Sequence, residues 1–380
     1  YIFEHGELTF SQYQAIISLL YKKGIREDIG NWRPISLLNC DYKIITKVLA
    51  HRLKKVVHEI IHEDQRGCIK GRHGFDCLRI LEDVIENGVD EDSCILLLDQ
   101  EKAFDRVDKN WMFSVLKQFG FGENFLKWLR ILYKNASSAI LTNGYISEFF
   151  RVGRGVRQGD PLLALLYIIQ AEPLAEALRI SPDIKGIEVL DQDNCNQEHR
   201  LSQYVDDTSV LLKHVNMIKA CLDMINNFGE ASGSKLNLKK TKGLVFSEAH
   251  ISGTIVSFTK GPELVLGIPV GMNLDMKPFW IKKIEKIKAI LSIWKTRNLT
   301  YQGKVHIIKS YAISNLIYAL EVKNPSPDII RSFNDVIWGY LWDGKPKGKV
   351  NRNVCILPRN MGGLSMPDIT TIIASRRIKL

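Results

Sequence analysis

The chain predicts an α+β fold. Short apolar stretches of strand character alternate with stretches of helical period, and turn signals join several of the strands into hairpins, which gives the sheets an antiparallel character. A third observation is composition: 380 residues, 45% hydrophobic and 25% charged, make a globular chain long enough for two or three packed units. The formal net charge of +10 favours a polyanionic partner. Cys40, Cys68, Cys77, Cys94, Cys195, Cys221 and Cys355 are scattered, odd in number and without a C-x-x-C pair. That argues against a disulfide framework or a zinc module and for a reducing, intracellular setting. The most apolar run, Leu162–Ile169, is stopped by Gln170 and Glu172 far short of a membrane span, so no membrane partner is expected. No signal peptide is visible, and with Tyr1 as its first residue the chain reads as a piece of a longer protein.

Glu7–Leu20 ends in a strand, and Asn31–Leu38 is a second extended segment. The basic loop between them carries Lys22 and Lys23, with Arg33 just beyond. Two readings stand, a solvated loop and an arm that closes on phosphates. Asp41–Ile61 reads as one amphipathic helix, with Ile44, Ile45, Val48, Leu49, Leu53, Val56 and Val57 on its apolar face. Its Lys43, Lys47, His51, Arg52, Lys54 and Lys55 form a face that is either solvated or set against phosphates. His62–Arg72 is a glycine-punctuated basic turn: Gly67 and Gly71 let backbone approach a partner, and Arg66, Lys70 and Arg72 supply charge. Phe75–Glu86 is a helix.

Ser93–Asp99 is a near-continuous apolar run ending in an acid, as expected of a central strand covered on both faces. A carboxylate at the carboxyl end of such a strand suits an active site, although Asp99 alone could equally cap the next helix. Phe104 follows in position to pack against whatever the acid engages, and Asp105 reads as a solvated or structural acid. Lys109–Lys134 is helical, its aromatics core. Asn143-Gly144 marks a two-residue type I′ hairpin. Arg151–Pro161 then runs through three glycines and three arginines into a helix opening near Pro161. It is either a glycine-rich connector or a loop whose backbone N–H groups, with Gln158, meet a nucleotide or template.

Leu162–Leu178 is a buried helix bent near Pro173. In Leu201–Leu212 an apolar run is interrupted by Asp206 and Asp207 side by side. Neighbouring side chains of one strand point to opposite faces, so a tight hairpin at Val205–Thr208 is needed to lift both acids to one tip. Val215–Ala231 is a helix, Leu236–Phe246 a strand and Glu263–Val270 a last hairpin. Beyond Asp275 the chain turns helical, with Ile284, Ile287, Leu291 and Trp294 as an apolar stripe. Between Lys282 and Lys309 eight basic residues face the single acid Glu285. That face, including Lys282, Lys283, Lys286, Lys295 and Arg297, is either solvated or a cradle for a duplex backbone.

Three carboxylates converging from a strand end and a hairpin tip can hold two Mg²⁺ ions about 3.5–4 Å apart. One ion would activate an attacking 3′-hydroxyl and the other would neutralise the leaving pyrophosphate. Oxygen-only ligands suit Mg²⁺, and Mn²⁺ is expected to be tolerated in its place. Phosphoryl transfer on nucleic acid is the reaction class these parts suggest.

The residues that carry a resemblance are Asn31-Trp-Arg-Pro-Ile-Ser-Leu-Leu38, Asp64-Gln-Arg-Gly-Cys-Ile-Lys-Gly-Arg72, Leu98–Val107, Gly155–Leu162, Tyr204-Val-Asp-Asp-Thr208 and Leu266–Gly271. In this order they resemble the blocks of the reverse transcriptase domain of non-LTR (LINE-type) retrotransposons, over nearly the whole chain. The resemblance implies a right-hand polymerase fold: fingers with an N-terminal extension over 1–91, a palm with a mostly antiparallel sheet and interleaved fingers helices over 92–272, a helical thumb over 273–343 and a post-thumb segment over 344–380. It implies that Asp99, Asp206 and Asp207 are the catalytic, metal-holding acids and that Phe104 is a gate against a ribose 2′-hydroxyl. By the same likeness Gln158 and Gly159 line the nucleotide pocket, Arg33 with Lys22 or Lys23 holds the triphosphate, and Lys240 donates a proton to pyrophosphate. Arg66, Lys70, Arg72, Arg157 and the basic residues after Lys282 are the expected template and primer contacts.

Two departures stand out. Leu163-Ala164 replaces the family's usual serine-proline, and Val205 stands where alanine is commoner. The implied activity is RNA-directed DNA polymerisation with an RNA template, a DNA primer or target and dNTPs, in nucleus or cytoplasm. An endonuclease domain is expected in the full-length polypeptide, outside this piece. The rivals are an intron-type reverse transcriptase, an RNA-directed RNA polymerase, against which Phe104 argues, and a copy that binds nucleic acid without catalysis.

Overall fold

A computed structural model describes residues 1–190, 195–246, 256–344 and 348–377. The chain forms two compact units, Tyr1–Gly261 and Pro262–Leu380. The Glu263–Val265 and Ile268–Val270 hairpin, expected at the end of the palm, falls in the second unit and, among the described residues, forms a two-stranded sheet of its own. Of the segment expected after the thumb, residues 345–347 and 378–380 lie outside the described residues.

Two sheets organise the first unit. In one, Gln14–Tyr21 pairs antiparallel with Trp32–Leu38 and parallel with Ser137–Thr142. The basic loop between the first two strands therefore sits at a hairpin end, closed by the bond from the Lys22 N–H to the Asn31 carbonyl (2.9 Å). Asn143 (φ +51°) and Gly144 (φ +84°) both take the positive φ that a type I′ turn demands.

The second sheet runs Ser257–Thr259, Lys242–Val245, Cys94–Leu98, Asp207–Leu212, Leu201–Tyr204. Among the described residues its one parallel pair is Ser257–Thr259 with Lys242–Val245. Cys94, Leu96, Leu98, Val210 and Leu212 bury one face under Leu174 and Leu178 of the Leu163–Ile180 helix and Cys221 and Ile225 of the Ile218–Ser232 helix. Burying such aliphatic side chains contributes roughly 1.5–3 kcal/mol each, so the central strand is among the least deformable parts of this unit.

The structure corrects three expectations. Asp41–Ile61 is not one helix but Cys40–Leu53 followed by Val57–Ile60. The longer helix buries Tyr42, Thr46, Leu49, Ala50 and Leu53, while Ile44 and Val48, assigned to its apolar face, are 65% and 55% exposed. Lys109–Lys134 breaks around Gly120 (φ +77°), giving Lys109–Gln118 and Glu123–Lys134. Only Lys242–Val245 of the expected Leu236–Phe246 strand is extended in the sheet.

In the second unit the Lys277–Lys295 helix buries Trp280, Ile284, Ile287 and Leu291. It packs on the Pro327–Leu341 helix, the Trp280 and Phe333 rings meeting edge-on at 6.1 Å. Among the described residues no helix is long and apolar enough to cross a membrane.

Candidate active site

The Leu201–Tyr204 and Asp207–Leu212 strands close into the expected hairpin, with Val205 and Asp206 at its tip. Thr208 faces Leu98 across the sheet, and the antiparallel register carried one step on sets Asp207 opposite Asp99. Asp99 is fixed from its other side. Its N–H donates to Thr241 Oγ1 (3.3 Å) and its carbonyl accepts the Asn237 N–H (2.8 Å). The same segment delivers Lys240, whose Nζ stands 3.9 Å from Asp99 Oδ2.

These acids disturb one another. Burial pushes the Asp207 carboxyl up to about 6, with Asp206 and Asp99 adding to the rise and Lys22 opposing it. Asp206 is raised by burial and by Asp99, while Lys22 and Arg33 pull it back. Burial lowers the Lys22 ammonium, as do the neighbouring charges of Arg33, Lys240 and Lys23, against the attraction of Asp99. The basic hairpin end and the acidic tip therefore share one electrostatic neighbourhood. Tyr167 is buried, its hydroxyl raised by burial and by the charges of both hairpin acids.

Among the described residues no three His, Cys, Asp or Glu side chains already stand in an arrangement that would hold a metal ion. The fit of a divalent cation to Asp99, Asp206 and Asp207 is one of chemistry. The donors are hard carboxylate oxygens, and their mutual repulsion is what a cation would relieve.

Beside the acids, Phe104 packs on Tyr167 with ring centroids 4.9 Å apart. The glycine-rich loop is tied to the Phe104 turn by bonds from Val156 N–H to the Phe104 carbonyl (2.9 Å) and from Gly155 N–H to that of Val107 (2.8 Å). On its other side the Ser36 N–H donates to the Gln158 carbonyl (2.8 Å). Gly159, at φ +110°, passes so close that an added Cβ would lie 2.7 Å from the Ser36 carbonyl oxygen. The Gln158 side chain donates from Nε2 to both Asp105 oxygens (3.0 and 3.2 Å). Asp105 is thus structural and not solvated, its carboxyl raised by burial and lowered again by Gln158.

Some expected nucleic-acid contacts are engaged elsewhere. Arg157 is 4% exposed; it donates to the carbonyls of Tyr13 and Ser137 and lies over the Tyr42 ring, so it holds strands together and cannot meet a template. Arg72 spends its guanidinium on the carbonyls of His58, Ile61, His62 and Gln65, closing the 62–72 turn. Lys283 folds over the Phe279 ring. Lys70 is exposed, and Arg66 is half-buried, donating to the Asp64 carbonyl. In the second unit Lys282, Lys286, Lys295 and Arg297 are exposed. Residues whose roles sequence reasoning passed over include Gln65 and Thr241, the latter fully buried behind Asp99.

The family profile described as reverse transcriptase (RNA-dependent DNA polymerase) matches residues 20–301, and the chain belongs to that family. Among its relatives are a 149 kDa protein of transposon TX1 from Xenopus laevis, 30% identical over 99% of this chain and 29% of that protein, and a Pol polyprotein of retrotransposable element R2 from Popillia japonica, 24% identical over 81% and 44%. Within the family it is therefore a reverse transcriptase domain of the non-LTR retrotransposon kind, and it spans less than half the length of these two relatives. Solved structures of apo telomerase from Candida tropicalis (13% identical, TM-score 0.53, covering 89% of this chain and 58% of that one) and of a human picobirnavirus RNA-dependent RNA polymerase (11%, 0.52, 97% and 64%) share its right-hand polymerase fold.

Proposed function

We propose that the chain extends a DNA primer 3′-end with dNTPs on an RNA template, as the polymerase part of a longer retrotransposon protein acting in the nucleus or cytoplasm. The observation that carries this reading is that Asp99, Asp206 and Asp207, at one end of the inner strands, share charge interactions with Lys22, Arg33 and Lys240. A divalent cation, Mg²⁺ in two copies and Mn²⁺ as a substitute, would be held by the three carboxylates and supply Lewis-acid activation of the attacking hydroxyl and charge neutralisation of the leaving group. Lys22 and Arg33, with Lys23 at the loop, hold the triphosphate. Lys240 brings an Nζ proton to the departing pyrophosphate. Phe104, whose ring packs on Tyr167, is the gate in this reading: a ribose 2′-hydroxyl would need room and a hydrogen-bond partner, and a phenyl ring offers neither. Gln158 and Gly159 form the pocket's backing.

The fingers, palm, thumb and post-thumb division at 91, 272 and 343, the duplex contacts at Lys282, Lys286, Lys295 and Arg297, and an endonuclease elsewhere in the full polypeptide belong to the same proposal. One observation bears on a second reading, nucleic-acid binding without chemistry: among the described residues no three acids already stand in a metal-holding arrangement, although Asp206 and Asp207 both feel the charge of Asp99. Incorporation of dNTPs and rNTPs on RNA and DNA templates decides between the two. DNA synthesis on RNA supports the first, and template binding with no incorporation under any cation supports the second.

A further inference from the structure

The hairpin tip holds a conformation that its own sequence does not favour. Val205 sits at φ +60°, in the left-handed region where a β-branched residue is an outlier. Such a backbone persists only when its surroundings over-determine it.

Those surroundings converge on Gln65, which is 2% exposed. Its carboxamide pairs with Val205 as a strand neighbour would. Oε1 accepts the Val205 N–H (2.8 Å), and Nε2 donates to the Val205 carbonyl (3.2 Å). The same Oε1 accepts the Gly67 N–H (2.8 Å), which fixes the amide's orientation. Backbone bonds continue the pairing: Arg66 N–H to the Gln203 carbonyl (2.8 Å) and Gln203 N–H to that of Asp64 (2.9 Å), with Gln65 and Gln203 bridged in parallel. Gly67 presses against the tip so closely that an added Cβ would lie 2.5 Å from the Val205 nitrogen. The 62–72 turn, read from sequence as a basic nucleic-acid contact, thus directs its middle at the residue preceding the two acids.

We propose that Gln65 is a positioning residue for the polymerase reaction: its carboxamide holds Val205 left-handed and thereby sets Asp206 and Asp207 at the tip. Leucine has the size but neither the donor nor the acceptor. Asparagine is a methylene shorter. Glutamate keeps the acceptor for both N–H groups and turns an oxygen against the Val205 carbonyl. Glycine at 205 would adopt positive φ without help, which makes Gln65 less necessary.

The kinetic part of this inference rests on the proposed reaction; the structural part does not. The test compares the unaltered protein, Gln65→Leu, Val205→Gly and the double variant, each by hydrogen exchange of the 201–212 peptide, by thermal unfolding and by kcat and KM for dNTP. Gln65→Leu is expected to speed exchange of that peptide about tenfold, as for a locally opened element. It should lower kcat about tenfold with the dNTP KM moved less than about threefold, the pattern of misplaced chemistry. Adding Val205→Gly should recover much of the lost kcat without recovering the unfolding temperature. A kcat loss that tracks the unfolding temperature and ignores Val205→Gly would overturn the proposal, as would unchanged exchange in Gln65→Leu. If Gln65→Leu does not fold, Gln65→Glu takes its place, with a smaller loss expected and the same rescue. Should the unaltered protein extend no primer, the proposed function fails, and hydrogen exchange still judges Gln65.

Discussion

Arg157 separates a structural from a template-binding role for the glycine-rich loop, and Arg157→Met is the perturbation. Gln14 and Ser137 face one another where two strands run parallel, and Arg157 joins that junction by donating to the carbonyls of Tyr13 and Ser137. Asp160, 5% exposed and bonded by the Tyr42 hydroxyl (3.2 Å), draws on the same cation. Methionine fills comparable volume and removes the donor to both carbonyls and the cation near Asp160, which keeps its bonds from the Tyr42 hydroxyl and the Leu162 N–H. Each lost bond from a charged donor is worth about 1.5–3 kcal/mol. Burial already depresses the Arg157 pKa, so part of this is offset by removing a costly charge. A net loss of about 3 kcal/mol follows, or roughly 6–12 °C in unfolding temperature at about 2–4 °C per kcal/mol for a unit of this size. The assay pairs thermal unfolding with the salt dependence of RNA binding. A lost phosphate contact would make the log–log slope shallower by about 0.7, whereas a buried brace leaves it alone. An unaltered melting temperature together with a shallower slope would refute the structural assignment.

Further outcomes are expected. Phe104→Val removes the ring braced on Tyr167 and should raise ribonucleotide use relative to dNTPs by about 10–100-fold in kcat/KM, read by competitive incorporation; an unmoved ratio would remove the gate assignment. In metal-free buffer Asp207→Asn should melt higher than the unaltered protein. The Asp207 carboxyl has an ordinary value of 3.8 and a folded value of about 6, so the folded chain holds this proton more tightly. Stability is then lost as pH rises through about 6, and the variant's advantage should grow between about pH 4 and 7; an advantage that shrinks would contradict the mutual-repulsion argument. Gly67→Ala drives a methyl against the Val205 nitrogen and should cost about 1–3 kcal/mol by chemical denaturation, with incorporation reduced as well.

The acids were legible in the sequence because a carboxylate is out of place in an apolar strand, and both Asp99 and the Asp206–Asp207 tip announce themselves that way. Asn143-Gly144 was legible because its turn is decided by two local φ angles. The Cys40–Leu53 helix was only half legible. Ile44 and Val48 satisfy a helical period as well as Tyr42, Thr46, Leu49 and Ala50 do, and only packing decides which side faces the core. Gln65 was not legible, and for Asp105 a solvated and a structural reading stood side by side, since their roles depend on partners 140 and 53 residues away along the chain. Arg157 misled for a related reason: an arginine beside glycines looks the same whether its guanidinium meets a phosphate or two carbonyls of its own chain.

The central claim is that Asp99, Asp206 and Asp207 act together on a primer end. It is tested most directly by extending a DNA primer on an RNA template with Mg²⁺ and dNTPs, the unaltered protein beside Asp206→Asn, with template binding followed in both. The account predicts extension by the unaltered protein, its loss by at least about a thousandfold in Asp206→Asn, and equal binding by the two. Equal extension by both proteins, or binding without extension by either, would contradict it.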